Sequence, residues 1–219
     1  MHTLIKFYNS SVGKKLIVGL TGILLIAFLV IHLIGNLLLF RNDGGAAFDG
    51  YSELLPQVVV IRIIEILLFL LILFHIVTAA YTWLINKQTR NEQYDVRKPG
   101  ATSPLSSRTM FLTGSIIFIF LVIHMRTFWW TSRYEAGEHF SMYTLVRNVF
   151  SDPVYDVLYL VALFLLGFHL HHGFQSALQT FGLREKKYVT LIEWCGVIVW
   201  LLIPLGFAVM PVCFYLTLR

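Results

Sequence analysis

The chain has 219 residues, of which 57% are hydrophobic, 15% aromatic and only 13% charged, with a formal net charge of +5. That balance excludes an ordinary soluble globular domain. The Lys and Arg fall in short segments between apolar runs rather than on one face, which excludes a nucleic-acid surface, so the sequence reads as an integral membrane protein in a lipid bilayer.

The amino terminus, MHTLIKFYNSSVGKK, has no small-residue cleavage site, so no removable signal peptide is expected. A helix needs about 20 apolar residues to span the hydrocarbon. Five stretches qualify, from Leu16 to Phe40, Val58 to Ile85, Met110 to Trp130, Val154 to Phe181 and Val189 to Leu218. The predicted fold is an all-α, five-helix membrane bundle forming one domain over residues 1–219. The connection NKQTRNEQYDVRKPGATSPLSSR reads as irregular, and RYEAGEHFSMYTLVRNVFSDP as holding a short interfacial helix. Cys195 and Cys213 lack any haem-attachment or zinc spacing and read as small buried apolar residues.

Orientation follows from the basic residues. Lys6, Lys14, Lys15, Lys87, Arg90, Arg97, Lys98, Arg108, Arg184, Lys186 and Lys187 fall on one side. Arg41, Arg62, Arg126, Arg133, Arg147 and Arg219 fall on the other. The positive-inside rule then predicts a cytoplasmic amino terminus and an outer carboxyl terminus. Trp129 and Trp130 at the outer end of the third stretch fit an aromatic interface belt.

His32, His75, His124 and His169 each sit inside a separate apolar stretch. Imidazole in hydrocarbon needs a reason, and neutral imidazole is a strong metal ligand. With helix directions assigned, His32 and His124 fall in the outer half of the membrane and His75 and His169 in the inner half. The layers are expected to lie roughly 10 Å apart at about 1.5 Å per residue. One ligand per helix in two depth-matched pairs predicts two bis-histidine haems. Such haems have no open iron position and serve electron transfer. A single histidine hydrogen-bonded across helices is the competing structural explanation. His171 and His172 point about 200° and 300° away from His169 on the same helix, so only one of the three leads the haem-facing stripe. His2 and His139 fall in terminal and loop sequence.

A flat macrocycle needs close helix approach, for which Gly22, Gly35, Gly114, Gly167 and Gly173 are candidates; ordinary helix packing explains small residues equally well. Arg62 and Arg126 are candidate partners of haem propionates, whereas Arg41 reads as a solvated topology marker.

S-x-G-K-K from Ser11 to Lys15, T-G at Thr21 and Gly22, and H-L-I-G-N from His32 to Asn36 resemble the opening of the di-haem cytochrome b membrane subunit of bacterial succinate:quinone oxidoreductases, the succinate dehydrogenases and fumarate reductases. One ligand on each of the first four helices and none on the fifth is that family's pattern, and the resemblance covers essentially the whole chain. It also implies His169 as the fourth ligand, because the family's Gly four residues on and Gly nine after that are matched by Gly173 and Gly182. His172 is held in reserve.

The resemblance implies two b haems, a flavoprotein and an iron-sulfur subunit on the cytoplasmic face, menaquinone as electron partner and a bacterial inner-membrane location. On its own the subunit does not act on succinate. The basic segments around Lys14, Arg97 and Lys186 are candidate contacts with the partner subunits. The family assigns quinone proton transfer to an acidic residue near the outer haem. Glu65, Glu53 and Asp49 are the candidates here, with a salt bridge from Glu65 to Arg62 as the structural alternative. Some fumarate reductases of this class carry Glu two residues before the fourth ligand, and this chain has Gly167 there. The competing readings are the cytochrome b anchor of a hydrogenase or formate dehydrogenase, and a proton-coupled transporter; the absence of inverted repeats and paired broken helices argues against the latter.

Overall fold

A computed structural model describes residues 6–8, 10–88, 105–137, 139–183 and 186–217, and these contain helices and turns but no strand. Helix α1 covers Ser11–Asn36 and continues as a 3-10 turn to Phe40. The Ser10 hydroxyl starts it, accepting from Gly13 N at 2.9 Å and donating to the Phe7 carbonyl at 2.7 Å. A Cβ on Gly13 would collide with that same carbonyl, which explains the glycine of the S-x-G-K-K motif.

Helix α2, Ala46–Leu54, was not anticipated from the sequence. The turn before it uses Gly44 and Gly45 at φ of 69° and 95°, and Asp43 accepts from Gly45 N and Ala47 N, each at 3.0 Å. Helix α3 is Val59–Gln88. Helix α4 starts at Leu105, within the sequence expected to be irregular, and runs α-helical to His124. From Met125 to Glu135 it widens into a π-helix. Helix α5, Met142–Val149, is the expected short helix, capped by Ser141. Helix α6, Pro153–Thr180, has Asp152 as its cap and Pro153 in its first turn. Helix α7, Val189–Thr217, carries a π segment over Ile198–Leu202 and Pro211 inside its last part.

Five of these helices, α1, α3, α4, α6 and α7, are long and apolar enough to cross a membrane, and the chain is a multi-pass membrane protein. Lipid-facing apolar side chains such as Leu24, Ile63, Leu73, Ile119 and Phe164 stand exposed on the helix surfaces. Cys195 is also exposed, which corrects the expectation that it is buried; both cysteines are free.

Helix α6 is the centre of the bundle, packed against α1, α4 and α7. Helix α3 is peripheral and packs closely along α1. Two ties connect it to α4: Glu65 bonds Trp129 and Arg133 at one end, and Trp83 stacks on Phe111 at 3.8 Å at the other. We call the end holding Lys14, Lys15 and Lys87 the basic end and the opposite one the far end. The far end is closed by α2 and α5, where Asp49 accepts from Ser141 Oγ at 2.7 Å and from Tyr143 N at 2.8 Å. Beneath them lies a buried cluster that includes Leu39, Phe48, Phe150, Tyr159 and Phe214.

Candidate functional site

The four span histidines face into the bundle from four different helices, on two levels. On the far level, the rings of His32 on α1 and His124 on α4 have centroids 6.0 Å apart and planes at 89°. Phe28 and Phe207 flank His32 at 5.3 and 5.5 Å, while Phe120 and Phe128 flank His124 at 5.8 and 5.3 Å. On the near level, His75 on α3 abuts Gly22 of α1 and His169 on α6 abuts Gly114 of α4.

Registers on three helices measure the spacing between levels. Gly22 abuts the His75 ring, Gly114 abuts the His169 ring, and Tyr159 bonds His124. Each of these marks one level on a helix whose histidine marks the other: Gly22 and His32 on α1, Gly114 and His124 on α4, Tyr159 and His169 on α6. Every pair is ten residues apart, which places the levels about 15 Å apart along the bundle, farther than the roughly 10 Å expected from midplane offsets.

Three of the four rings have a partner at Nδ1. Thr21 Oγ1 is 2.8 Å from His75 Nδ1 and also 2.9 Å from the Ile17 carbonyl. The same hydroxyl lies 3.1 Å from the Val18 carbonyl, so it joins the His75 ring to the backbone of the preceding turn of α1. The Tyr159 hydroxyl is 3.0 Å from His124 Nδ1. Asn36 donates to the His32 carbonyl at 2.7 Å and lies 3.4 Å from His32 Nδ1, a long contact. Nδ1 of His169 is buried with no hydrogen-bond partner. The side-chain contacts that set these rings are thus made at Nδ1 of His32, His75 and His124. The described residues contain no group of three or more His, Cys, Asp or Glu able to hold a metal ion, so a metal centre here would be held by histidine pairs.

If a haem were held here, His32 and His124 on the far level and His75 and His169 on the near level are the imidazoles that would hold it; the first two have ring centroids 6.0 Å apart. Gly22 and Gly114 would each place a Cβ 3.5 Å from a histidine Cε1, so both leave room beside the near-level rings. Gly35 instead makes space for the Tyr51 ring, whose Oη a Cβ there would approach to 2.7 Å, and a Cβ on Gly173 would lie 3.7 Å from Met110. A Cβ on Gly167 would stand 3.0 Å from the Trp200 carbonyl, so this position is a tight seam with α7 that does not accommodate a glutamate. His171 is turned toward α7, against the Trp200 ring at 5.2 Å and Gln175 at 3.2 Å. His172 is half-buried, and His139 is exposed in a loop.

The charged candidates are mostly occupied. Glu65 accepts from Trp129 Nε1, from Arg133 at 2.9 Å and from Arg62 at 3.3 Å. Arg126 pairs with Glu135 at 2.7 Å on the surface, and Arg41 with Asp43 at 3.5 Å. Asp49 is used to join α2 to α5, and Glu53 is exposed on α2. Glu65 stands ten residues before His75 on α3, hence on the far level. It borders a groove of about 480 Å³ open to the bundle surface, walled by Ile66, Phe69, Leu70 and Trp129 and rimmed by Arg62. The π turn of α4 puts Trp129 and Arg133 on one side, both reaching Glu65. Trp129 thereby faces inward, while Trp130 stays exposed as an interface residue would.

Lys14 is 7% exposed with its Nζ over the Tyr81 ring, so it is a packing residue rather than an available docking contact. Arg97 lies outside the described residues, as does His2. Tyr159 was not singled out from the sequence, and Thr21 only as part of the T-G motif; their signal was a hydroxyl ten or eleven residues from the histidine of the other level on the same helix. Comparison with known protein families, curated proteins and solved structures returned no match.

Proposed function

We propose that this chain is the membrane anchor and electron-transfer subunit of a bacterial succinate:quinone oxidoreductase, carrying electrons between an iron-sulfur subunit and menaquinone through two b haems. The observation that supports the reading is the approach of His32 to His124 across α1 and α4, with His75 and His169 set ten residues' rise away against Gly22 and Gly114. The sequence motifs from Ser11 to Asn36 supply the family.

Bound haem supplies reversible one-electron transfer, and a bis-imidazole iron has no position left for oxygen. The protein's part is to hold the imidazoles. Tyr159 and Thr21 fix Nδ1 of His124 and His75 and so aim Nε2 inward. Gly22 and Gly114 leave the near-level rings uncrowded. The surface groove beside Glu65 has apolar walls open to lipid and a polar rim, which suits a lipophilic quinone approaching from the bilayer. At that rim a quinone competes with Arg62, Arg133 and Trp129 for Glu65, whose proposed role is to pass protons at the far level. With the amino terminus in the cytoplasm, the basic end faces the flavoprotein and iron-sulfur partners.

Reduced-minus-oxidised absorbance of the purified protein tests the reading. A haem b spectrum with flavoprotein and iron-sulfur subunits co-purifying is expected, and a colourless protein would contradict it.

A further inference from the structure

Glu65 divides its partners between its two oxygens. Oε2 accepts from Arg133 at 2.9 Å and from Arg62 at 3.3 Å, whereas Oε1 accepts from Trp129 Nε1. The arginines are held by opposite charge and the indole N–H is neutral, so the Trp129 bond can be given up without breaking an ion pair. Both ends of that bond also line the far-level groove of about 480 Å³. Trp129 reaches the groove from α4, its ring 5.3 Å from Phe69 and inclined at 68°, and Ile66, Phe69 and Leu70 continue the wall along α3. Its neighbour Trp130 is exposed instead, against Tyr134.

The Trp129–Glu65 bond restricts what the groove can take. An indole N–H only donates and a carboxylate only accepts, so the wall presents one donor beside one acceptor. A lipid acyl chain fits apolar walls but offers the N–H nothing in place of Glu65. A phosphate or carboxylate head would meet the Glu65 charge. A quinone carbonyl accepts from the indole while Glu65 keeps both arginines on Oε2, and the quinol form offers a hydroxyl back to Oε1. Size agrees: a cavity of about 150 Å³ admits one benzene ring, so the groove has room for two fused rings. We propose that Trp129 donates the hydrogen bond to the carbonyl of a two-ring quinone in this groove, exchanging Glu65 Oε1 for the carbonyl oxygen as the ring enters, and thereby sets the preference for a quinone over an apolar ring. The assignment rests on the quinone reading given above.

The test follows the indole N–H resonance of Trp129 in the full chain in detergent, with isotope-labelled tryptophan. The chain has five Trp, and the Trp129 signal is the one missing from Trp129→Phe. The probes are dimethylnaphthoquinone, blocked against addition of the free cysteines, and dimethylnaphthalene, the same two rings without carbonyls. The quinone should move the Trp129 signal upfield, because a bond to a neutral carbonyl is weaker than one to a carboxylate, and the hydrocarbon should not. Displacement of radiolabelled dimethylnaphthoquinone then gives both affinities. Trp129→Phe keeps an aromatic wall but should lower the preference for quinone over hydrocarbon by about tenfold, the worth of one hydrogen bond, whereas Trp130→Phe should leave it unchanged. A Trp129 that only ties α3 to α4 would weaken both probes alike. That result, a Trp129 signal that moves with both probes or with neither, or full preference retained in Trp129→Phe would each overturn the proposal. The haem spectrum is read on the same samples, so a colourless protein whose Trp129 signal answers to the quinone alone contradicts the anchor reading and not this one.

Discussion

His32 and His124 stand on different helices with their rings 6.0 Å apart and perpendicular, inside a sleeve of phenylalanines. That arrangement ties two residues far apart in sequence to one event. Replacing either by Ala should remove the same spectral component, and replacing His75 or His169 should remove the other. Low-temperature difference spectra of the four variants check this. Selective loss of one component by both His32→Ala and His75→Ala would break the pairing.

The hydroxyls behind the rings give a finer test. Tyr159→Phe removes the partner of His124 Nδ1, and Thr21→Val removes that of His75. Loss of such an outer partner typically weakens metal binding by roughly 10–100-fold. Each variant should therefore lower retention, or shift the redox midpoint, of one haem only: the far-level one for Tyr159 and the near-level one for Thr21. Equal effects on both haems would show that the two levels are not independent.

Glu65→Gln should leave both haems and dye-linked succinate oxidation intact while slowing quinone turnover severely. Because Glu65 also ties α3 to Trp129 and Arg133, Arg133→Gln is the control. A proton-transfer role predicts that Glu65→Gln is much the slower of the two. Equal rates would assign Glu65 to holding α3 against α4.

Two glycine substitutions probe the far-end cap. Gly45 has φ of 95° and would drive a Cβ into the Tyr143 ring, so Gly45→Ala should cost about 1–3 kcal/mol. Gly44 has φ of 69° but open space around it, so Gly44→Ala should cost only about 1 kcal/mol. Thermal unfolding in detergent, followed by circular dichroism, ranks the two.

Much of this architecture was legible in the sequence because apolar length and positional depth depend on composition alone. The five spans and the short helix at Met142–Val149 both follow from counting along a helix. What was hidden depends on how helices face each other. Hydropathy is blind to the switch from α to π hydrogen bonding after His124, which turns Trp129 and Arg133 onto Glu65. It also leaves Lys14 as a candidate partner contact, although Tyr81 of the neighbouring helix covers it. Helix α2 escaped notice because its nine residues are too short for a span and mix polar with apolar side chains. Gly35 and Gly167 read like Gly22 and Gly114, yet only the latter two meet a histidine, a distinction that needs the neighbouring helix.

The central claim is that four histidines hold two haems, and a pyridine haemochrome assay against protein concentration measures that directly. The account predicts about two non-covalent protohaems per chain, falling to about one when His32 or His75 is replaced, as bis-imidazole ligation requires. One haem in the unaltered protein, or none, would contradict it.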